Sequence, residues 1–247
     1  MKNDAELSGW KMPGLIFKKY WFWFDRPTEV KRADLVNFFC YDNIDEPGFH
    51  KKAGLTTVID LGQSLEQIWS KMRQGFIGKQ IKRGEKNDIV VKLDDNFKAF
   101  KKIYFRFRKS KQIEADNYKF LSRHGMLFSA YHENRLIAGG IFVARHNFLR
   151  AWVLASIRLD EIDGRMREIA GQANRLVIWE AIKYGKKNNF KSLDLGGIDP
   201  ESSNKGEKTL AEFKEAFGGE RKKAYYYYKV NSRLLNFLMR LKGYKNL

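Results

Sequence analysis

The chain has 247 residues, with 43% hydrophobic and 15% aromatic side chains and only 4 prolines, a composition that folds and excludes an intrinsically disordered chain. One cysteine excludes an internal disulfide or a Cys-x-x-Cys centre, and the four histidines form no His-Glu-x-x-His motif, so no metal site is expected. The formal charge is +18, from 47 Lys and Arg against 29 Asp and Glu, which points to phosphate-rich partners such as nucleic acid, nucleotides or an anionic membrane face.

No stretch is apolar for long enough to cross a membrane as a helix, and the first 15 residues carry acids and a proline where a signal peptide needs an apolar run. The expected location is cytoplasmic. In chain order, residues 15–24 (LIFKKYWFWF), 34–39 (DLVNFF) and 55–61 (LTTVIDL) have the aromatic and β-branched content of strands and predict one small sheet. Ser64 with Gln67 three residues on is a capping-box signature, and Ile68 and Met72 follow at helical spacing. After an interruption at Gly75 and Gly78, a second helix sets Ile77 and Ile81 on one side. On the other, Lys79, Lys82, Arg83 and Lys86 recur at i, i+3, i+4 and i+7 as one cationic stripe. Residues 71–111 around it hold 14 basic and 4 acidic side chains, net +10. The stripe is expected to bind phosphate; the alternative is a solvated face that keeps the protein soluble.

Residues 89–93 (IVVKL) read as a strand, and Phe97, Phe100, Tyr104 and Phe107 mark the buried face of a helix. A short helix over 116–123 leads to a hairpin of 126–131 and 136–144, whose second arm (LIAGGIFVA) is apolar throughout and predicts a central strand. A strand over 151–157 precedes a helix over 173–187, apolar on most sides and therefore sandwiched. A strand at 192–195, a loop at 196–208, a helix at 210–217 stopped by Gly218 and Gly219, a strand at 223–230 and an amphipathic tail complete the chain. From Ile89 onward this order is that of a mixed sheet with helices on both faces. The expected division is a strand-rich segment with the basic helix over 1–86 and an α/β lobe over 87–247.

Nucleotide hydrolysis and dinucleotide chemistry find no motif: Glu207 separates Gly206 from Lys208 and breaks a Walker loop, and no G-x-G-x-x-G occurs. Residues 167–173 (REIAGQA) stand just ahead of the sandwiched helix. Small residues there let backbone N–H groups at a helix start approach an anion, which makes Arg167, Gly171, Gln172 and Ala173 anion-binding candidates; close packing is the other reason for them. Asp194 and Asp199 at the end of a strand hold substrate or a proton, or cap the following loop. Leu210, Phe213 and Phe217 are expected to face inward, with Lys214 beside that face. Cys40 is expected to be merely buried.

The run LVIWEAIKYGKKNNFKSLDLGGID, followed by TLAEFKEAFGGE, resembles the C-terminal half of the Fem family, nonribosomal peptidyl transferases whose lobes have the GNAT acyltransferase fold. Asp194, Gly196, Gly197 and Asp199 and the block Phe213, Lys214, Phe217, Gly218 and Gly219 carry the similarity. The upstream run TTVIDLGQSLEQIWSKMRQGFIGKQIKRGEKNDIVV adds to it, so that it extends from about residue 55 to about residue 230. The resemblance implies an α/β fold, a GNAT-like mixed β-sheet with helices on both faces, preceded by a small N-terminal strand-rich extension. It also implies transfer of an activated aminoacyl or acyl group to an amine, on a peptidoglycan precursor in bacterial relatives, with Lys214 beside Phe213 stabilising the oxyanion.

Two departures stand out. Fem proteins usually have two GNAT-like lobes, and this chain has room for one and a remnant. The donor signature [RQ]-x-x-G-x-[GA], by which the resemblance implies that Arg167, Gly171, Gln172 and Ala173 are donor-binding, occurs only as Glu168-x-x-Gly171-x-Ala173, whose carboxylate repels coenzyme A phosphates. Direct attack of an amine on an ester or thioester needs no Ser or Cys nucleophile, only orientation, an oxyanion partner and a proton acceptor. No permanently bound cofactor is expected; the donor is a co-substrate, aminoacyl-tRNA or acyl-coenzyme A. The expected partners are a phosphate-bearing acceptor, tRNA and, peripherally, an anionic membrane face. Two other readings stay open: a coenzyme A-dependent N-acetyltransferase acting on an amino sugar or small amine, and a non-catalytic basic RNA-binding protein on the same scaffold.

Overall fold

The computed structural model describes residues 10–12 and 16–241. Strands β1 (Trp10–Met12), β2 (Lys19–Trp23), β3 (Leu35–Cys40) and β4 (His50–Asp60) come first. Helix α1 (Leu65–Lys71), a π-helical turn at Gln74–Gly78 and α2 (Lys79–Lys86) lead to β5 (Val90–Asp94), α3 (Phe97–Ser110) and α4 (Tyr118–His124). Strands β6 (Met126–His132), β7 (Arg135–Arg145) and β8 (Phe148–Ser156) precede the long α5 (Gly164–Lys187). Then follow β9 (Ser192–Ile198), α6 (Lys205–Glu215), β10 (Glu220–Val230) and α7 (Arg233–Leu241).

These elements form two compact units, Thr56–Arg221 and, around the two ends of the described chain, the residues up to Leu55 with those from Lys222 on. Residue 86, where the sequence suggested a division, falls inside the larger unit at the end of α2. In the smaller unit β2 and β3 run parallel and β10 pairs antiparallel with β3. Phe22 and Phe38 stack there at 4.5 Å, and Cys40 is buried among such side chains, which pushes its thiol up. Tyr225 and Tyr227 point into this core while Tyr226 and Tyr228 are half-buried, the alternation of a strand.

The larger unit has the expected mixed sheet, in the order β4, β9, β8, β7, β6, β5. Two neighbouring glycines of its central strand show that helices cover both faces. A Cβ on Gly139 would stand 2.9 Å from the Phe100 ring of α3, and one on Gly140 would stand 3.0 Å from Val177 of α5; successive strand residues point to opposite faces. Locally encoded elements form as read. Ser64 Oγ accepts the Gln67 N–H at 3.2 Å while Gln67 Oε1 accepts the Ser64 N–H at 2.8 Å, the reciprocal capping box. Glu133 and Asn134 both take left-handed φ, 49° and 61°, which matches the twist of the β6–β7 hairpin.

Three expectations are corrected. Helix α5 begins at Gly164, nine residues before the expected start, because Asp163 caps it by accepting the Arg165 and Met166 N–H groups at 3.0 and 3.3 Å. Helix α6 begins at Lys205, inside the expected loop, with Asn204 Oδ1 accepting the Gly206 N–H at 2.8 Å. On α6, Leu210 is exposed, and the buried positions are Ala211 and Lys214.

Candidate active site

Strands β8 and β9 are parallel neighbours for only three residue pairs, Phe148–Ser192, Leu149–Leu193 and Arg150–Asp194. Beyond Arg150 and Asp194 their pairing ends, so an opening lies between them at the carboxyl ends of parallel strands, where open α/β sheets bind ligands. A buried ion pair stands at its vertex: Arg150 donates to Asp194, which also accepts the Thr56 hydroxyl and, at 2.6 Å, the Gly196 N–H. Asp194 is fully buried, and its carboxylate ties the ends of the two strands to Thr56 and Gly196.

Lys214 enters the opening from α6. Its ammonium donates to the Gly197 carbonyl at 2.7 Å, and it is 8% exposed. Burial pushes it down to about 8; Arg150 adds to that effect and Asp194 opposes it. Gly196 makes the approach possible. Its φ of +87° suits glycine, and a Cβ there would stand 3.3 Å from the Lys214 nitrogen.

Phe213 lies half-buried beside Lys214, and two arginines flank it and Phe76. The Arg175 guanidinium sits 5.3 Å from the Phe213 ring and 5.0 Å from the Phe76 ring, and Arg73 covers Phe76 at 4.5 Å. Arg175 donates to the Gly171 carbonyl at 2.8 Å, while burial first and Arg158 second push it down to about 10. The turn of helix at Gln74–Gly78, which carries Phe76, is a π-helix of the kind that often marks functional sites.

Among solved structures the chain is similar to FemX over 93% of its own length and 85% of that chain, with a TM-score of 0.63 at 10% identity. It is also similar to the C-terminal domain (DUF2156) of a putative lysylphosphatidylglycerol synthetase from Agrobacterium fabrum, over 87% and 75% of the two chains, with a TM-score of 0.54 at 11% identity. A third similar structure is L-PGS from Bacillus licheniformis, over 85% and 72%, with a TM-score of 0.53 at 12% identity. The fold is Fem/GNAT-like. No protein-family model matches the sequence, and a search of curated proteins finds no match.

In this Fem/GNAT-like fold the cationic stripe of α2 lines a hollow of about 390 Å³ with Gln74, Gly78, Lys79, Lys82, Arg83 and Lys86. An adjoining hollow of about 380 Å³ is lined by Arg83, Lys86, Asn87, Arg165, Glu168, Ile169 and Gln172. Glu168 pairs with Arg83 at 3.0 Å, and Gln172 accepts from Asn87 at 2.8 Å. Of the donor candidates, Gln172 thus adjoins the stripe, which sequence reasoning treated apart. Arg167, Gly171, Gln172 and Ala173 lie within α5 and not at its start, so their backbone N–H groups belong to the helix ladder and cannot cradle an anion. Asp199 is exposed and accepts the Glu201 N–H at 3.2 Å, which is a loop cap apart from the Lys214 cluster.

Thr56, Phe76, Arg150 and Arg175 were not singled out in the sequence. One signal was legible: Arg175 interrupts the apolar run of a helix that is otherwise sandwiched. Among the described residues no helix is long and apolar enough to cross a membrane, and no three His, Cys, Asp or Glu side chains gather as metal ligands.

Proposed function

We propose that the protein is an acyltransferase that moves an activated aminoacyl or acyl group onto an amine of a phosphate-bearing acceptor, a peptidoglycan precursor by analogy with bacterial Fem proteins. The observation that carries this reading is the buried Lys214 ammonium, held on the Gly197 carbonyl where β8 and β9 part. The acceptor nitrogen attacks the ester or thioester carbonyl carbon, and the carbonyl electron pair moves onto oxygen. The oxyanion then collapses and expels the alkoxide or thiolate, which takes up the proton that the amine gives away. One of the three Lys214 N–H donors is spent on Gly197, and the others serve the oxyanion in a site poor in water.

Aminoacyl-tRNA fits as donor better than acyl-coenzyme A. Asp163 already occupies N–H groups at the α5 start, where a pyrophosphate would otherwise be bound. Incubation with aminoacyl-tRNA or acyl-coenzyme A and amine acceptors, read by mass spectrometry, tests the reading. Transfer from aminoacyl-tRNA without thioester turnover is the expected result. Thioester turnover selects the coenzyme A-dependent alternative, and tRNA binding without any transfer selects a silent RNA-binding scaffold.

The α2 hollow is the proposed phosphate site. Lys79 and Lys86 have no carboxylate partner among the described residues, so Lys79→Gln with Lys86→Gln is expected to weaken acceptor or tRNA binding. For duplex-like RNA the slope of log affinity against log salt should flatten by about 0.9 per lost contact. Equal binding by parent and variant at every salt concentration would return the stripe to a solvated face.

A further inference from the structure

Helix α7 buries Leu235 and half-buries Met239, and leaves its other large apolar side chains in solvent. Ser232 caps its start by accepting the Leu235 N–H at 3.3 Å. Leu234, Phe237, Leu238 and Leu241 are 57%, 59%, 39% and 68% exposed. They recur at i, i+3, i+4 and i+7 and so form one stripe along the helix. Arg233 and Arg240 lie on the same adjoining side, two turns apart along the helix, and neither has a carboxylate partner among the described residues. From Arg221 to the last residue the sequence holds eight Lys or Arg and no Asp or Glu. Among the described ones, Arg221 and Lys229 are paired with acids, Glu215 and Glu29.

An apolar stripe of this kind left in water marks a partner surface. Its charge selects the partner. A second copy of this chain would bring the same cations face to face in a protein of +18, whereas a bilayer with anionic headgroups offers an apolar interior below the stripe and negative charge beside the arginines. We propose that α7 is a membrane-surface helix that lies in the interface of an anionic bilayer, with Leu234, Phe237, Leu238 and Leu241 in the acyl boundary and Arg233 and Arg240 at the headgroups. The attachment is peripheral, and it does not depend on the acyl-transfer reading.

Co-sedimentation of the full chain with phosphatidylcholine vesicles, with and without phosphatidylglycerol, tests this. Sedimentation is expected with the phosphatidylglycerol vesicles and should fall as salt rises. Leu234→Ser with Phe237→Ser should lower the partition by about 10-fold or more. Arg233→Gln with Arg240→Gln should lower it on the order of 10-fold on anionic vesicles and leave the neutral ones unchanged. All four side chains are exposed, and unchanged melting curves establish that the variants fold. Absence of sedimentation at low salt, or equal sedimentation by the parent and the Leu234→Ser, Phe237→Ser variant, would overturn the proposal. Two further results would also overturn it: loss of sedimentation only on neutralising Lys79 and Lys86, or a concentration-dependent dimer that Leu234→Ser dissolves.

Discussion

Lys214→Met is expected to lower kcat by about 100-fold or more while leaving substrate affinity nearly unchanged, the loss typical of removing one oxyanion partner. The methionine keeps the stem and deletes the charge. Held at about 8, the ammonium is charged in about nine molecules of ten at pH 7, so the parental advantage over the variant should shrink as pH rises through 8. Stability moves the other way. Because the folded value lies below that of the unfolded chain, the unfolded chain binds this proton more tightly. The cost of the buried charge, on the order of 3 kcal/mol, is therefore fully present below pH 8 and is relieved between about 8 and 10.5. The variant should accordingly melt no lower than the parent at pH 7 and lack the parental gain toward pH 10. A Lys214→Met protein that turns over at the parental rate would remove Lys214 from the mechanism.

Asp194→Ala is expected to destabilise the larger unit by about 3–5 kcal/mol, the cost of breaking a buried ion pair from one side. The substitution strips Arg150 of this carboxylate, Thr56 of its acceptor and the Gly196 N–H of its partner at once. It also removes the charge that favours protonated Lys214, so activity should fall even where the protein still folds. Urea midpoints for the parent, Asp194→Ala and the double variant Asp194→Leu, Arg150→Met separate the two effects. The double variant should recover much of the stability, since two apolar side chains replace the pair, and none of the activity. A single variant with the parental midpoint would show that the pair does not anchor the vertex.

The sequence alone determined several elements whose signal is local. The α1 capping box, the β6–β7 hairpin, the apolar β7 and the cationic stripe of α2 each depend on residues within one or two turns of one another, and each forms as read. The block ending in Gly218 and Gly219 pointed to the fold for a reason that is now visible: a Cβ on Gly218 would stand 2.7 Å from the Lys71 backbone, so only glycine lets α6 close against the end of α1. Two things were decided only by the tertiary structure, the burial of Lys214 and the gathering of Arg175 with Phe76 and Phe213; the start of α5 follows a local cap, Asp163, that apolar spacing passes over. A pattern of apolar spacings assigns charged residues to the surface, and by that rule Leu210 faced inward and Lys214 did not. The fold reverses both because the parting of β8 from β9, a contact between distant segments, makes room for an ammonium with a carbonyl to hold it. A functional site breaks local patterning at a cost in stability that the rest of the fold offsets, and that cost cannot be read from residues that are neighbours only in sequence.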